Sequence, residues 1–406
     1  MKELVKNFLK NDLPEQYDFK LLEKEYYECY NKDGRYTQLI KNIGEQINTP
    51  IEDHGGRTRI EQWFAYKLLE ENDEYLREHR SVRRFDCDNS NDTCELTKGI
   101  YYYLWGWKKE GNYGHSLFCG DSGTSDHLGG DTMNSLGTTM IEYLKRRGVH
   151  VKSVKECKER YDKDDLVKKY LKEWKGLNDF ARNVSCIGNF VLVPGGFNKH
   201  RGGHPGLRDY WDLSLDDLAY NKDAWLPGRM RVKHARDNKA FIQYVNTFFL
   251  WDYVDDNYEI KPLFGSHEDK LGADKELNIE KVFPDMQYNG KEFDKFLGNV
   301  NSYINRRGKF MAAMLNIALN IDRDTPYTGE RQEEWEDWKV SGTYKKIVEE
   351  VLLSDKCLKG YHEVIEEIQK QMKESKFKDD INKIFNEILD SGKEGREELN
   401  ENLCDE

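Results

Sequence analysis

No stretch of this 406-residue chain approaches the ~18 consecutive apolar residues that a membrane-spanning helix needs. Only 37% of residues are hydrophobic and the mean hydropathy is -0.89. The N-terminus, Met1 to Leu13, alternates lysine with apolar residues at helical spacing and lacks the apolar core of a secretion signal. No CxxC occurs. The eight cysteines (Cys29, Cys87, Cys94, Cys119, Cys157, Cys186, Cys357 and Cys404) lie far apart and read as reduced thiols, not a disulfide framework. No internal repeat and no low-complexity segment is present. These absences point to a soluble, cytoplasmic protein with no membrane partner. Aromatic residues, by contrast, are abundant: 24 Tyr, 18 Phe and 9 Trp make up 13% of the chain. Disordered chains are poor in them, so the composition predicts a folded, polar protein with an aromatic core.

Positive charge is not in excess either: 63 Lys and Arg stand against 75 Asp and Glu, for a net -12. A strong sequence-independent nucleic-acid binder is basic overall. The imbalance is uneven, because Glu330 to the end holds 22 acids against 13 bases, and basic clusters survive upstream. These are Arg80, Arg83 and Arg84; Arg146 and Arg147; Arg229, Arg231, Lys233 and Arg236; and Arg306, Arg307 and Lys309. A local basic cleft is therefore compatible with the overall charge.

Apolar spacing predicts a mainly α (α+β) fold, a helical protein with a small β-sheet. The expected units are an N-terminal helical region (1–80), a core (81–329) and an acidic helical region (330–406). Ile60 to Leu76 has helical periodicity, and 86–98 holds turn and polar types. Ile100 to Trp107 (IYYYLWGW) is β-like in type, and a helix starting at Asp131 should stop at Gly148. Residues 155–183 read as one charged amphipathic helix and Ile187 to Val193 as a strand. Asp212 is expected to cap a short helix, Asp237 to Asp256 to form a longer one, and Tyr258 to Phe264 a second strand. Glu292 to Asn320 reads as a long helix, and the acidic region as helical from Tyr344 to about Leu389.

Four apparent motifs carry little. Gly120-Asp121-Ser122-Gly123 matches a serine-protease nucleophile segment, but a helical chain with no upstream His segment lacks the rest of that machinery. Arg229 and His234 have the RxxxxH spacing of helical ribonucleases, a spacing that chance readily supplies with 21 Arg and 10 His. Gly265-Ser266 with Asn278-Ile279-Glu280 lacks the first of the two carboxylates that a nucleotidyltransferase needs. Asp86, Asp88, Ser90 and Asp92 alternate like calcium ligands, but Asn91 and Thr97 occupy the Gly and Glu positions.

Two Gly-rich segments are stronger. One runs through Ser125, Asp126, His127, Gly129, Gly130, Asp131 and Thr132; the other is IGNFVLVPGGFNKHRGG at 187–203, followed by His204 and by Asp209-Tyr210-Trp211-Asp212-Leu213-Ser214-Leu215. Each sets His beside Asp or Asn in a loop, where catalytic groups are commonly carried. If the loops meet, Asp126, His127, Asp131, Asn198, His200, Arg201 and His204 form a polar cleft. Arg and His there hold oxyanions while Asp and His hold a metal. The bland reading is that Gly188, Asn189, Phe190 and Leu192 only turn and pack.

The IGNF-x-L-x-P pattern, the Asn-x-x-Arg-Gly turn from Asn198 and DYWDLSL, together with NTFFLWDYVDD at 246–256 and YINRRGK at 303–309, resemble an uncharacterised bacterial family that also has an upstream GGDTMNS segment. The resemblance spans about residues 100–310 and implies no activity. A weaker resemblance is to HNH-type endonucleases, which carry a "DH" and then an IGNL-like strand followed by Asn. It implies His127 as general base, Asp126 or Asn198 as its orienter, His200 or His204 with Asp131 as ligands of a divalent metal (Mg, Mn or Zn), and Arg201 on the phosphate. It also implies a nucleic acid or nucleotide substrate and a restriction or phage-defence setting. The 71 residues from His127 to Asn198 are more than that pattern has. The alternative expectation is a non-enzymatic interaction or inhibitor protein that presents its acidic C-terminal helices to a protein partner.

Overall fold

The computed structural model describes residues 1–11, 13–17, 19, 95–106, 127–129, 136–161, 163–184, 186–197, 211–220, 225–226, 234–263, 291–319, 327–333, 335–372 and 378–401. The fold is mainly helical. The helices are α1 (Lys2–Phe8), α2 (Glu95–Trp105), α3 (Leu136–Arg146), α4 (Val154–Tyr161), α5 (Asp165–Glu173), α6 (Lys175–Asn183), α7 (Trp211–Tyr220), α8 (Lys239–Thr247), α9 (Lys291–Leu319), α10 (Gly342–Ile347), α11 (Gly360–Gln371) and α12 (Lys378–Glu401). Two short strands, β1 (His127–Gly129) and β2 (Val191–Val193), pair antiparallel. The expected helix over Ile60 to Leu76 and the calcium-like loop at Asp86 to Asp92 lie outside the described residues.

The 29-residue α9 is the axis, about 44 Å long at 1.5 Å per residue. It packs against α2, α6, α10, α12 and the turns at Pro14–Gln16 and Ile187–Asn189. From Phe310 to Leu319 nearly every side chain is buried, as befits a helix covered on all sides. The acidic C-terminal part joins the same core: Val364, Ile365 and Ile368 of α11 and Ile381, Phe385 and Ile388 of α12 are buried, with the Phe385 ring stacked on Phe310.

Several sequence expectations change for identifiable reasons. The aromatic run after Ile100 is helix α2, not strand. Its rings are buried around most of the helix, which hides the 3.6-residue period and lets β-like composition mislead. Residues 155–183 are three helices. Asp164 accepts hydrogen bonds from Leu166 N (3.1 Å) and Val167 N (3.4 Å), starting α5, and its other oxygen meets Arg160 at 2.6 Å. Trp174, extended, separates α5 from α6. The strand expected over Ile187 to Val193 is a 3-10 turn followed by β2, and Tyr258 onward contributes only an isolated bridge, Val254 to Ile260. Asp212 does not cap: it lies buried in the first turn of α7, and its Oδ2 accepts from Leu263 N at 2.9 Å.

Helix ends show where local signals work and where they fail. Gly148 closes α3 as expected, with φ +77° and a Val149 N to Leu144 O bond of 2.9 Å. Helix α8, expected to reach Asp256, stops at Thr247 by the same device, but the left-handed residue is Phe249 (φ 60°) and Leu250 N reaches Val245 O at 2.9 Å. A non-glycine residue there is costly, and persists because packing over-determines it. The Phe249 ring is held among Trp105, Trp251 and Phe310.

Candidate functional site

The strand pair joins the two Gly-rich segments. His127 stands opposite Val193, Leu128 opposite Leu192 and Gly129 opposite Val191. Val191, Leu192 and Val193 are buried, and Tyr244 Oη donates to Leu192 O at 2.9 Å, anchoring β2 to α8. Beyond β2, Gly196 takes φ +84° and Phe197 packs edge-on against Trp225. The chain at His127 is thus brought to the strand that leads, five residues after Val193, to Asn198. His127 is placed by its strand alone. Asp126, Asp131, Asn198, His200, Arg201 and His204 lie outside the described residues, as do Thr132 and Asp209. Among the described residues, no group of three or more His, Cys, Asp or Glu could hold a metal ion.

The remaining motif residues form a structural joint. A Cβ on Gly188 would sit 1.9 Å from Ile304 O and 2.8 Å from Gly308 N, so the turn rests directly on the α9 backbone. Asn189 is fully buried and donates to Val184 O at 2.7 Å. Arg307, 1% exposed, donates to Gly188 O and Phe190 O at 2.7 Å each and to Phe248 O at 2.8 Å. Burial holds its guanidinium below the ordinary arginine value, and among the described residues it has no ion pair. Asn246 accepts from Trp251 Nε1 (2.9 Å) and Tyr258 Oη (2.6 Å) and donates to Ser354 O (3.4 Å) and Lys356 O (3.2 Å). The IGNF, NTFFLWDY and YINRRGK segments therefore converge on one buried arginine, and the bland reading of Gly188, Asn189 and Phe190 holds.

Two polar features have no local signature in the sequence. The first is a cleft of about 570 Å³ between the Trp251–Lys261 segment, α9, the start of α11 and the middle of α12. Asp252 and Arg306 pair at 2.5 Å on its wall, 12% and 13% exposed, and Arg306 lies over the Tyr361 ring. Burial, with the Asp252 carboxylate nearby, pushes the Tyr303 phenol up to about 12. Lys261 and Lys359 add positive charge to the cleft while Asp255, Asp256 and Asp390 oppose it. Neither sign dominates, so the cleft does not by itself select a phosphate. The second is a chain of hydrogen bonds in which Tyr220 Oη donates to Glu259 Oε2 (2.6 Å) and Glu259 Oε1 meets His234 Nδ1 (3.1 Å). Burial and the Glu259 bond both raise the Tyr220 pKa. Arg306 fell within a recognised basic cluster, but partners 54 residues apart for Arg306 and 25 for His234 leave no local trace.

Compared with family profiles, with curated proteins and with solved structures, the chain matches nothing in any of the three. No helix among the described residues is long and apolar enough to cross a membrane. Function therefore rests on the residues themselves.

Proposed function

We propose that the chain is a metal-dependent phosphodiesterase of HNH-like type acting on nucleic acid or a nucleotide, in a restriction or phage-defence setting. The observation that carries this reading is the β1–β2 register, which sets His127 against the strand leading to Asn198, His200, Arg201 and His204. In this reading His127 takes a proton from the attacking water, Asp126 or Asn198 orients its imidazole, and Arg201 holds the non-bridging phosphate oxygens. The imidazoles of His200 or His204 and the Asp131 carboxylate are donors suited to a divalent ion such as Mg, Mn or Zn, which when bound would stabilise charge on the leaving oxygen.

The test is hydrolysis of plasmid DNA, RNA and a chromogenic phosphodiester with each of these ions. Activity should vanish with EDTA and fall by about 10²–10⁴-fold in His127→Ala, the range for removal of a general base. Hydrolysis that survives both changes would overturn the reading, as would none with any ion.

A second reading, an interaction or inhibitor protein with acidic helices, is favoured by the outward acids of α11 and α12, such as Glu366, Asp379 and Asp380. Because both helices contribute core residues, reversing these surface charges tests it better than deleting the region. Loss of a co-purifying basic partner on charge reversal, in a protein that hydrolyses none of the substrates above, would support the second reading.

A further inference from the structure

Helices α3, α4 and α5 pack on one another, and their segment of chain inverts the charge of the protein. From Lys145 to Lys175 there are twelve Lys and Arg against six Asp and Glu, a net +6 in a chain of net -12, so the rest carries -18. The inversion is on the surface. Arg147, Lys152, Lys163, Lys169 and Lys172 are exposed, while Leu144, Cys157, Tyr161, Val167 and Leu171 fill the interior between the helices. The Tyr143 and Trp174 rings stack at 3.6 Å where α3 meets the end of α5. Arg147 lies against two rings, its Cζ 5.2 Å from the Tyr143 centroid and 5.9 Å from that of Tyr170.

Of the six acids in the segment, Glu159, Asp165 and Glu173 are exposed and offset part of the surface charge. Glu156 and Asp164 are both taken by Arg160, and Asp164 also caps α5. Helices α4 and α5, of 8 and 9 residues, are joined by only three residues. That is the proportion of a helix–turn–helix pair, whose second helix is slim enough for the major groove of a duplex. On the outer face of α5, exposed Lys169 and Glu173 lie one and two turns on from Leu166, with Lys172 further round the helix; Leu166, at 52% exposure, is one of three large apolar side chains left in solvent among the described residues. An apolar side chain there can pack on sugars while Lys169 and Lys172 meet phosphates. Asp165 in the first turn of α5 opposes phosphate there, which assigns the phosphate contacts to the lysine rows and not to the helix N-terminus.

From this geometry we infer that the α3–α5 face is the surface on which the protein docks duplex DNA, through sequence-independent contacts to the phosphate backbone. The inference rests on the reading of the chain as acting on nucleic acid, and names the surface and the polymer.

The test is fluorescence anisotropy of the full chain with a labelled 24-base-pair duplex in EDTA, titrated at salt concentrations from 50 to 300 mM. The triple substitution Lys152→Ala, Lys163→Ala and Lys169→Ala should make the slope of log affinity against log salt shallower by about 2.7, at ~0.9 for each phosphate no longer neutralised. Affinity should fall alike for unrelated sequences. The charge-matched control Lys339→Ala, Lys356→Ala and Lys383→Ala should keep the wild-type slope. A triple variant that binds like wild type overturns the surface and leaves the nucleic-acid reading standing, and a control that weakens equally also overturns it. No binding of DNA at 50 mM salt overturns it too, and capture of polyglutamate instead would transfer the face to an acidic protein. Metal-dependent cleavage is scored separately: lysine-dependent binding without cleavage upholds the surface and removes the nuclease reading.

Discussion

Two glycine-to-alanine substitutions involving the same helix should move stability in opposite directions. At Gly188 the added Cβ meets the α9 backbone, 1.9 Å from Ile304 O, where side-chain carbons keep at least 3.0 Å. Neither atom belongs to a flexible side chain, so turn and helix must separate by about an ångström, a distortion of the kind that costs ~1–3 kcal/mol. The separation also stretches the 2.7 Å bond from Arg307 to Gly188 O, a charged hydrogen bond worth ~1.5–3 kcal/mol. The smaller unfolded-state entropy of Ala returns only ~0.4–1 kcal/mol. Gly188→Ala should therefore destabilise by about 3 kcal/mol, a large share of the ~5–15 kcal/mol typical of a folded domain.

Gly298, inside α9, has nothing within 4 Å of its added Cβ and no left-handed φ. Gly298→Ala should stabilise by ~0.5–1 kcal/mol through helix propensity alone. Equilibrium unfolding in guanidinium chloride, followed by far-ultraviolet circular dichroism, measures both variants against wild type. A Gly188→Ala midpoint within the error of wild type would refute the close approach, and a destabilised Gly298→Ala would refute the open space around α9.

The Asp252–Arg306 pair should behave as a mostly buried couple. Arg306→Met alone removes the cation that Asp252 meets at 2.5 Å in a mostly buried setting and should cost ~3–5 kcal/mol, and adding Asp252→Asn should recover most of it; additive losses in the same unfolding assay would refute the coupling. Stability should also respond to acid through Asp164, whose carboxyl is held below its usual value first by the Arg160 hydrogen bond and further by the amides of Val167 and Leu166. A depressed folded-state pKa contributes stability above the unfolded value of ~3.9 that is lost as pH falls through the folded one. Asp164→Asn keeps the cap but not the charge, so its deficit against wild type should close between pH 5 and 2, and a constant gap would refute the linkage.

Legibility in the sequence followed the range of the interaction. Gly148 as a helix stop, the long helix α9 and the helical character of the acidic region depend on neighbours within a few turns, and each could be read in the sequence. The aromatic run in α2 and the breaks at Asp164 and Phe249 could not. Burial around most of α2 erased its period, one acidic residue can cap a helix or ride on its face, and a left-handed phenylalanine has no sequence signature. The candidate site divides in the same way. The residue types suited to phosphodiester chemistry at Asp126, His127, Asn198 and His200 were visible, as was the prospect that their loops meet. The basic excess from Lys145 to Lys175 was countable too, but a count does not say which lysines share a face.

Composition and spacing alone determined a helical, aromatic-cored chain without membrane-spanning runs, and marked the segments at 125–135 and 187–215 as unusual. Tertiary structure decided what the second of these does at its start: Gly188, Asn189 and Phe190 are a joint closed by Arg307, not part of a site. It also paired β1 with β2, joined Asp252 to Arg306 and packed α3, α4 and α5 together. The reason is physical. Propensity and periodicity act over a few residues, whereas the partner of a buried cation, a strand or a glycine's missing side chain is chosen by whichever distant backbone the core brings alongside.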